Sequence, residues 1–257
     1  MQKKLLFNLT DEIALVTINR PEVRNALDKE TRTLLKSTLE KINDDENIRV
    51  CIITGAGNKV FVSGEDISGF VDQTPLSYME YSYEFINGLY NFIENMRIPV
   101  IAAINGHAVG GGTALAMACD IRVSSEKALF GVPEVRLGII PGGGITQRLC
   151  QFVGKGRARK MILTAEILDA KKALEIGLID EVVPVDKVLE RSKEIAKEII
   201  KKGPVAIRMA KAAINQGTPV NVGLDYNILA GSICFSTNQP AEGAKAFLEK
   251  RDPNWIK

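Results

Sequence analysis

Two short runs, RVCIITG (49–55) and PVIAAIN (99–105), are apolar at almost every position. Side chains on a strand alternate between faces, so a strand without a polar face must be covered on both sides. That is the condition of a parallel sheet with helices packed on each face, and it excludes an open two-layer sheet with one wet side. EIALVTIN (12–19), DIRVSS (120–125) and LIDEVVP (178–184) read as further strands. Between them, KETRTLLKSTLEKIND (29–44) places Leu35, Leu39 and Ile42 on one helical face, and a second long helix near 77–96 carries Ile86, Leu89, Ile93 and Met96 on one stripe. From Asp186 to Arg251 the pattern is helical, divided at Gly203-Pro204 and Gly217-Thr218-Pro219. The expected fold is α/β, with a mixed core over residues 1–195 and a helical C-terminal region over 196–257.

Composition narrows the function by exclusion. The net charge of +2 on 257 residues gives no argument for a nucleic acid or membrane partner. No apolar stretch has the length of a membrane span. The opening MQKKLLFNLTDEIALV is interrupted by Asn8, Asp11 and Glu12, unlike a secretory signal, so a cytoplasmic protein is expected. Cys51, Cys119, Cys150 and Cys234 form no CxxC pair and read as reduced thiols. One histidine, His107, and no clustered acids argue against a metal site.

The most unusual stretch is INGHAVGGGTALAMACDIRV (104–123), where three glycines open a helix. Three readings compete. GHAVGGGT (106–113) approaches a phosphate loop, but Gly112 stands where that loop needs lysine. Glycines also serve close packing of a helix on a strand. The third reading is an oxyanion hole, in which unpartnered N–H groups at a helix entry receive a carbonyl oxygen as it gains charge.

Four blocks, NRPEVRNAL (19–27), FVSGEDI (61–67), PVIAAINGHAVGGGTALAMACDIRV (99–123) and FGVPEVRLGIIPGGGITQRL (130–149), together resemble the crotonase, or enoyl-CoA hydratase/isomerase, superfamily. The likeness continues through TAEILDAKKALEIGLIDEVVP (164–184) to AFLEKRDPNW (246–255). The resemblance implies a spiral of strand-strand-helix units with a C-terminal helical trimerisation region, assembled as homotrimers or homohexamers. It implies acyl-CoA substrates, with coenzyme A part of the thioester and no separate cofactor. It assigns the two oxyanion N–H groups to Glu65 and Gly111.

Hydratases of the family use two glutamates, one after GGG and one in PE. Here the second is Glu134, after Pro133, but the first position is Ala114. Glu134 alone can still move a proton between neighbouring carbons, as the family's double-bond isomerases do. Isomerisation is therefore the expected activity. Hydration by Glu134 with help from Glu65 or from substrate is the alternative, followed by another enolate reaction such as decarboxylation, or acyl-CoA binding without catalysis. For Glu65 two readings stand level: a replacement carboxylate beside the thioester, or a side chain in solvent with only its N–H used. Asp66 is expected to fix its loop through backbone hydrogen bonds. His107 reads as structural or as pocket wall, and Tyr78, Tyr81, Tyr83 and Tyr90 as core and pocket wall. The resemblance also points to substrate and coenzyme A contacts from Arg20, Arg24 and Ala26, from Ser63, Gly64, Asp66 and Ile67, from Gly110 and Pro133, and from Phe247 and Lys250.

Overall fold

The computed structural model describes residues 3–66, 74–216, and in the tail Thr237, Gln239, Glu242, Ala246, 249–251, Pro253 and Asn254. The apolar runs become the middle of a six-stranded sheet. Its strands are β1 (Leu5–Thr10), β2 (Ile13–Ile18), β3 (Val50–Gly55), β5 (Val100–Ile104), β7 (Ile121–Ser125) and β10 (Glu181–Val183), side by side in that order. From β2 onward neighbours are parallel, and only β1 runs antiparallel to β2. A second sheet holds β4 (Val60–Val62), β6 (His107–Val109), β8 (Leu129–Gly131) and β9 (Ile167–Asp169). From β3 to β8, successive strands thus alternate between the two sheets. β3–β4, β5–β6 and β7–β8 are three turns of the expected spiral.

Alternation along β3 shows why the runs have no polar face. Cys51 and Ile53 join the large core with Leu35 and Leu39 of α1 (Lys29–Asp44) and with Leu89 and Ile93 of α3 (Gly88–Glu94). Val50 and Ile52 point the other way, onto Val188, Ile195 and Ala196 of α7 (Val188–Ile200). The expected division at 195/196 therefore falls inside α7, which belongs to the core sheet's outer layer. The helical pattern resumes in α8 (Pro204–Asn215), docked through buried Lys211, whose ammonium reaches Asp120 at 2.7 Å and the Ile98 carbonyl at 3.0 Å. Most of the tail expected to trimerise lies outside the described residues.

Three features differ from the sequence reading. β1 carries no strand signal because its Leu6, Phe7 and Leu9 are exposed, leaving no alternation to detect. β4, β6 and β8 are three-residue strands, too short to show a period in the sequence. The long helix is divided: α2 (Pro75–Tyr81) passes through a π-helical turn, Ser82–Asn87, into α3. Thr74 caps α2 reciprocally with Ser77. Leu89, Ile93 and Met96 are buried as expected, and the Ile86 side chain lies outside the described residues.

The remaining elements are α4 (Gly111–Ala118), α5 (Ile145–Thr164) and α6 (Ala170–Glu175). Cys51 and Cys119 are buried free thiols, and burial pushes Cys119 up to about 12, so it stays protonated and inert. Cys150 is half-buried, and Cys234 lies outside the described residues. No helix among the described residues is long and apolar enough to cross a membrane.

Candidate active site

The 19–27 turn and the 63–66 loop are laced together by backbone. Leu27 N–H donates to the Gly64 carbonyl at 2.9 Å, Asp66 N–H to Leu27 at 3.2 Å, and Ser63 N–H to Arg24 at 3.2 Å. Buried Asn25 adds side-chain bonds to the carbonyls of Ala56, 3.1 Å, and Val60, 2.8 Å. Arg20 is buried. Its guanidinium donates to the Ala26 carbonyl at 2.5 Å and pairs with Asp28 at 3.0 Å, and Asp28 in turn caps α1 by accepting from Thr31 N–H. Arg20 thus shapes the turn from within, while Arg24 is exposed on its outer side.

The glycine triplet divides its labour. Gly112 is a packing glycine: a Cβ there would lie 2.0 Å from the Val62 carbonyl oxygen. Gly110 adopts φ +55°, a conformation that costs an L side chain dearly, and a Cβ on it would lie 3.1 Å from Glu134 Oε1. Its N–H is spent on the Gly131 carbonyl at 2.9 Å. Gly111 starts α4 and lines a cavity together with Glu65. Neither the Gly111 nor the Glu65 N–H has a hydrogen-bond partner among the described residues. Gly64, at φ +116°, brings the two segments within van der Waals reach: a Cβ on it would lie 3.5 Å from the Gly111 nitrogen. A developing negative charge at this point also meets the positive end of α4.

Glu134 and Ala114 line the same cavity, with Tyr90 and Ile145. About 30 Å³ of it is open to the centre of a water-sized sphere. Glu134 sits in a single 3₁₀ turn opened by Pro133, and its Oε2 is buried without a hydrogen-bond partner. Burial raises its pKa above the ordinary 4.5, offset in part by its own backbone N–H. A base must be ionised to accept a proton. The acid limb of kcat/KM is therefore expected to titrate above the usual glutamate range, with activity rising as pH rises through it. A limb at or below 4.5 in a steady-state pH profile would contradict this.

The solvent reading of Glu65 is corrected. Its side chain is 14% exposed and turns inward to Arg32, which is 1% exposed. Arg32 Nε donates to Glu65 Oε2 at 2.7 Å, and Arg32 Nη2 also contacts Glu65 Oε1. The Tyr81 hydroxyl reaches the same Oε2 at 3.4 Å. Arg32 Nη2 donates to the Tyr90 hydroxyl at 3.1 Å, and that hydroxyl donates to the Gly111 carbonyl at 3.0 Å. Removing one partner of such a buried pair costs about 3–5 kcal/mol. The sequence reading missed Arg32, although a signal exists: it lies three residues before Leu35 and seven before Leu39, a charge on the apolar stripe.

Tyr78 lines the cavity, and Tyr83 is exposed. His107 opens β6, where its Nδ1 accepts from Leu129 N–H at 3.2 Å, so its role is structural. Lys250 is exposed, while Ile67 and Phe247 lie outside the described residues.

Residues 8–257 match the family described as enoyl-CoA hydratase/isomerase. The chain is 41% identical over 256 residues to crotonyl-CoA hydratase of Syntrophomonas wolfei, covering 99% of this chain and 98% of that one. It is 41% identical over 242 residues to short-chain-enoyl-CoA hydratase of Clostridium acetobutylicum, covering 93% and 92%. The crystal structure of enoyl-CoA hydratase from Bacillus anthracis superposes with a TM-score of 0.94 at 38% identity, covering 98% of this chain and 99% of that one.

Proposed function

Because the chain belongs to the enoyl-CoA hydratase/isomerase family, we propose that it moves the double bond of enoyl-CoA thioesters through an enolate, with Glu134 as the single acid/base. One observation carries this reading: among the described residues Glu134 Oε2 is the buried carboxylate oxygen left unpartnered, and it faces a wall where Ala114 supplies no second acid. The thioester oxygen sits against the N–H groups of Glu65 and Gly111. Glu134 takes an α proton from a 3-enoyl thioester, and the electron pair moves into the dienolate, its charge on that oxygen. The same carboxyl returns the proton to the γ carbon, giving the 2-enoyl isomer with no net change in atoms. Coenzyme A enters only as part of the substrate.

Hydration is the second reading. It is favoured by the names of the relatives and by Glu65, a further carboxylate on the cavity wall. Against it, Glu65 is already engaged by Arg32 and Tyr81, so a water on the β carbon has one free carboxylate to hold it. A paired assay on matched four- and six-carbon chains decides. Isomerisation of the 3-enoyl-CoA is expected to run about 10²-fold or more faster than hydration of the 2-enoyl-CoA, the low end of what one general acid–base group contributes. Dominant formation of 3-hydroxyacyl-CoA, lost in Glu65→Gln, would establish hydration with Glu65 as the second carboxylate. Binding without turnover of either would leave an acyl-CoA-binding protein.

A further inference from the structure

We infer that Arg32 is a positioning residue that holds both halves of the oxyanion hole in register. This rests on the reading that the Glu65 and Gly111 N–H groups receive the thioester oxygen. Those two groups come from segments far apart in sequence, and each follows a glycine in a left-handed conformation, Gly64 at φ +116° and Gly110 at φ +55°. Gly111 itself has no side chain to anchor it. An oxyanion hole works only if its donors are fixed beforehand, because reorganising them during the reaction consumes the stabilisation they provide.

One buried guanidinium reaches both segments. On one side it grips the Glu65 carboxylate through Nε and Nη2, which restrains the residue whose N–H is the first donor. On the other it donates to the Tyr90 hydroxyl, which in turn donates to the Gly111 carbonyl. That last bond ties down the backbone of the glycine whose N–H is the second donor. A Cβ built on Gly111 would lie 3.1 Å from the Tyr90 hydroxyl and 3.2 Å from Glu65 Oε1, so both arms close around this residue. Arg32 touches the substrate through neither arm. Its charge also has a reason to be buried: it neutralises Glu65, which would otherwise stand as an anion beside the forming enolate.

The test separates positioning from mere packing. Tyr90→Phe deletes one hydroxyl and keeps the ring; Arg32→Lys keeps the charge and loses the two-armed grip. Two readouts follow enolate formation without requiring net isomerisation or hydration. One is exchange of the α protons of butyryl-CoA with D2O by NMR. The other is the pH at which bound acetoacetyl-CoA turns into its ultraviolet-absorbing enolate. Both variants are expected to slow exchange about ten- to a hundredfold, the scale set by a small misplacement of catalytic groups. Both should also move bound enolisation to higher pH, with KM for the ester within about twofold. Tyr90→Phe is chosen to fold normally, checked by thermal melting. Native exchange and enolisation in a folded Tyr90→Phe protein would overturn the inference. A native protein that neither exchanges butyryl-CoA protons nor enolises acetoacetyl-CoA would overturn the enolate reading itself, and the inference with it.

Discussion

Glu134→Gln is expected to lower turnover by about 10²–10⁴-fold, the usual contribution of a general acid–base group, while the ester still binds. The amide keeps the shape of the side chain and removes its ability to take a proton. Among the described residues nothing else is placed to substitute. Ala114 is apolar, the Glu65 carboxylate is held by Arg32, and His107 is engaged with Leu129 outside the cavity. The same substitution is expected to stabilise the fold. A carboxyl whose pKa is raised by burial is strained in its ionised form. The folded state holds the proton more tightly than the unfolded one, so stability is lost as pH rises through the raised pKa. Glutamine removes that loss, so the melting temperature of the variant should exceed the native one near neutral pH and converge with it in acid. A variant that keeps most of its turnover would remove Glu134 from the mechanism. One equally stable at both pH values would remove the buried charge from the account.

The second large effect is expected at Gly112. A Cβ there meets the Val62 carbonyl oxygen at 2.0 Å and its carbon at 2.9 Å. These are backbone atoms of β4, which cannot rotate aside as a side chain would. Overpacking costs about 1–3 kcal/mol in general and more where nothing yields. Gly112→Ala is therefore expected at the upper end, with activity lost as well, because Val62 leads directly into Ser63, Gly64 and Glu65. Gly156 is the internal comparison. It sits within the residues of α5, and a Cβ there meets nothing within 4 Å. Gly156→Ala should stabilise by about 0.5–1 kcal/mol through helix propensity. Thermal melts of the two variants test both signs together. A neutral Gly112→Ala would mean that α4 and β4 separate more easily than their backbones suggest.

The parts of this protein that could be read from its sequence are those fixed by local pattern. The apolar runs at 49–55 and 99–105 specify strands covered on both faces whatever their neighbours do. The helix at 29–44 has caps and a stripe of its own. What escaped depends on tertiary partners. β1 is held by pairing with β2 and buries too little to leave a signature. The glycine triplet looked like a choice between packing and ligand approach, yet Gly112 serves the first, Gly111 borders the cavity and Gly110 lies against Glu134. No count along the chain separates those roles. The direction of the Glu65 side chain was undecidable for the same reason, since its partner lies 33 positions earlier. Arg32 was discoverable in principle, because a charged residue among Leu35, Leu39 and Ile42 needs an explanation before a structure is seen.

The π-helical turn at Ser82–Asn87 has an arithmetical consequence. Tyr81 and Tyr90 are nine positions apart. In an uninterrupted α-helix, at about 100° per residue, that is two and a half turns and puts them on opposite sides of the rod. A π turn absorbs one surplus residue. The interval then counts as eight, and the two phenols stand about 80° apart. This is how one hydroxyl reaches the Glu65 carboxylate while the other reaches Gly111. The alignment is thus written in spacing, not in residue type. Deleting one residue within 82–87 would let the turn relax to a regular α-helix and keep the phenols about 80° apart, whereas inserting one would put them on opposite sides, a dependence that inspection of the aligned side chains alone would never disclose.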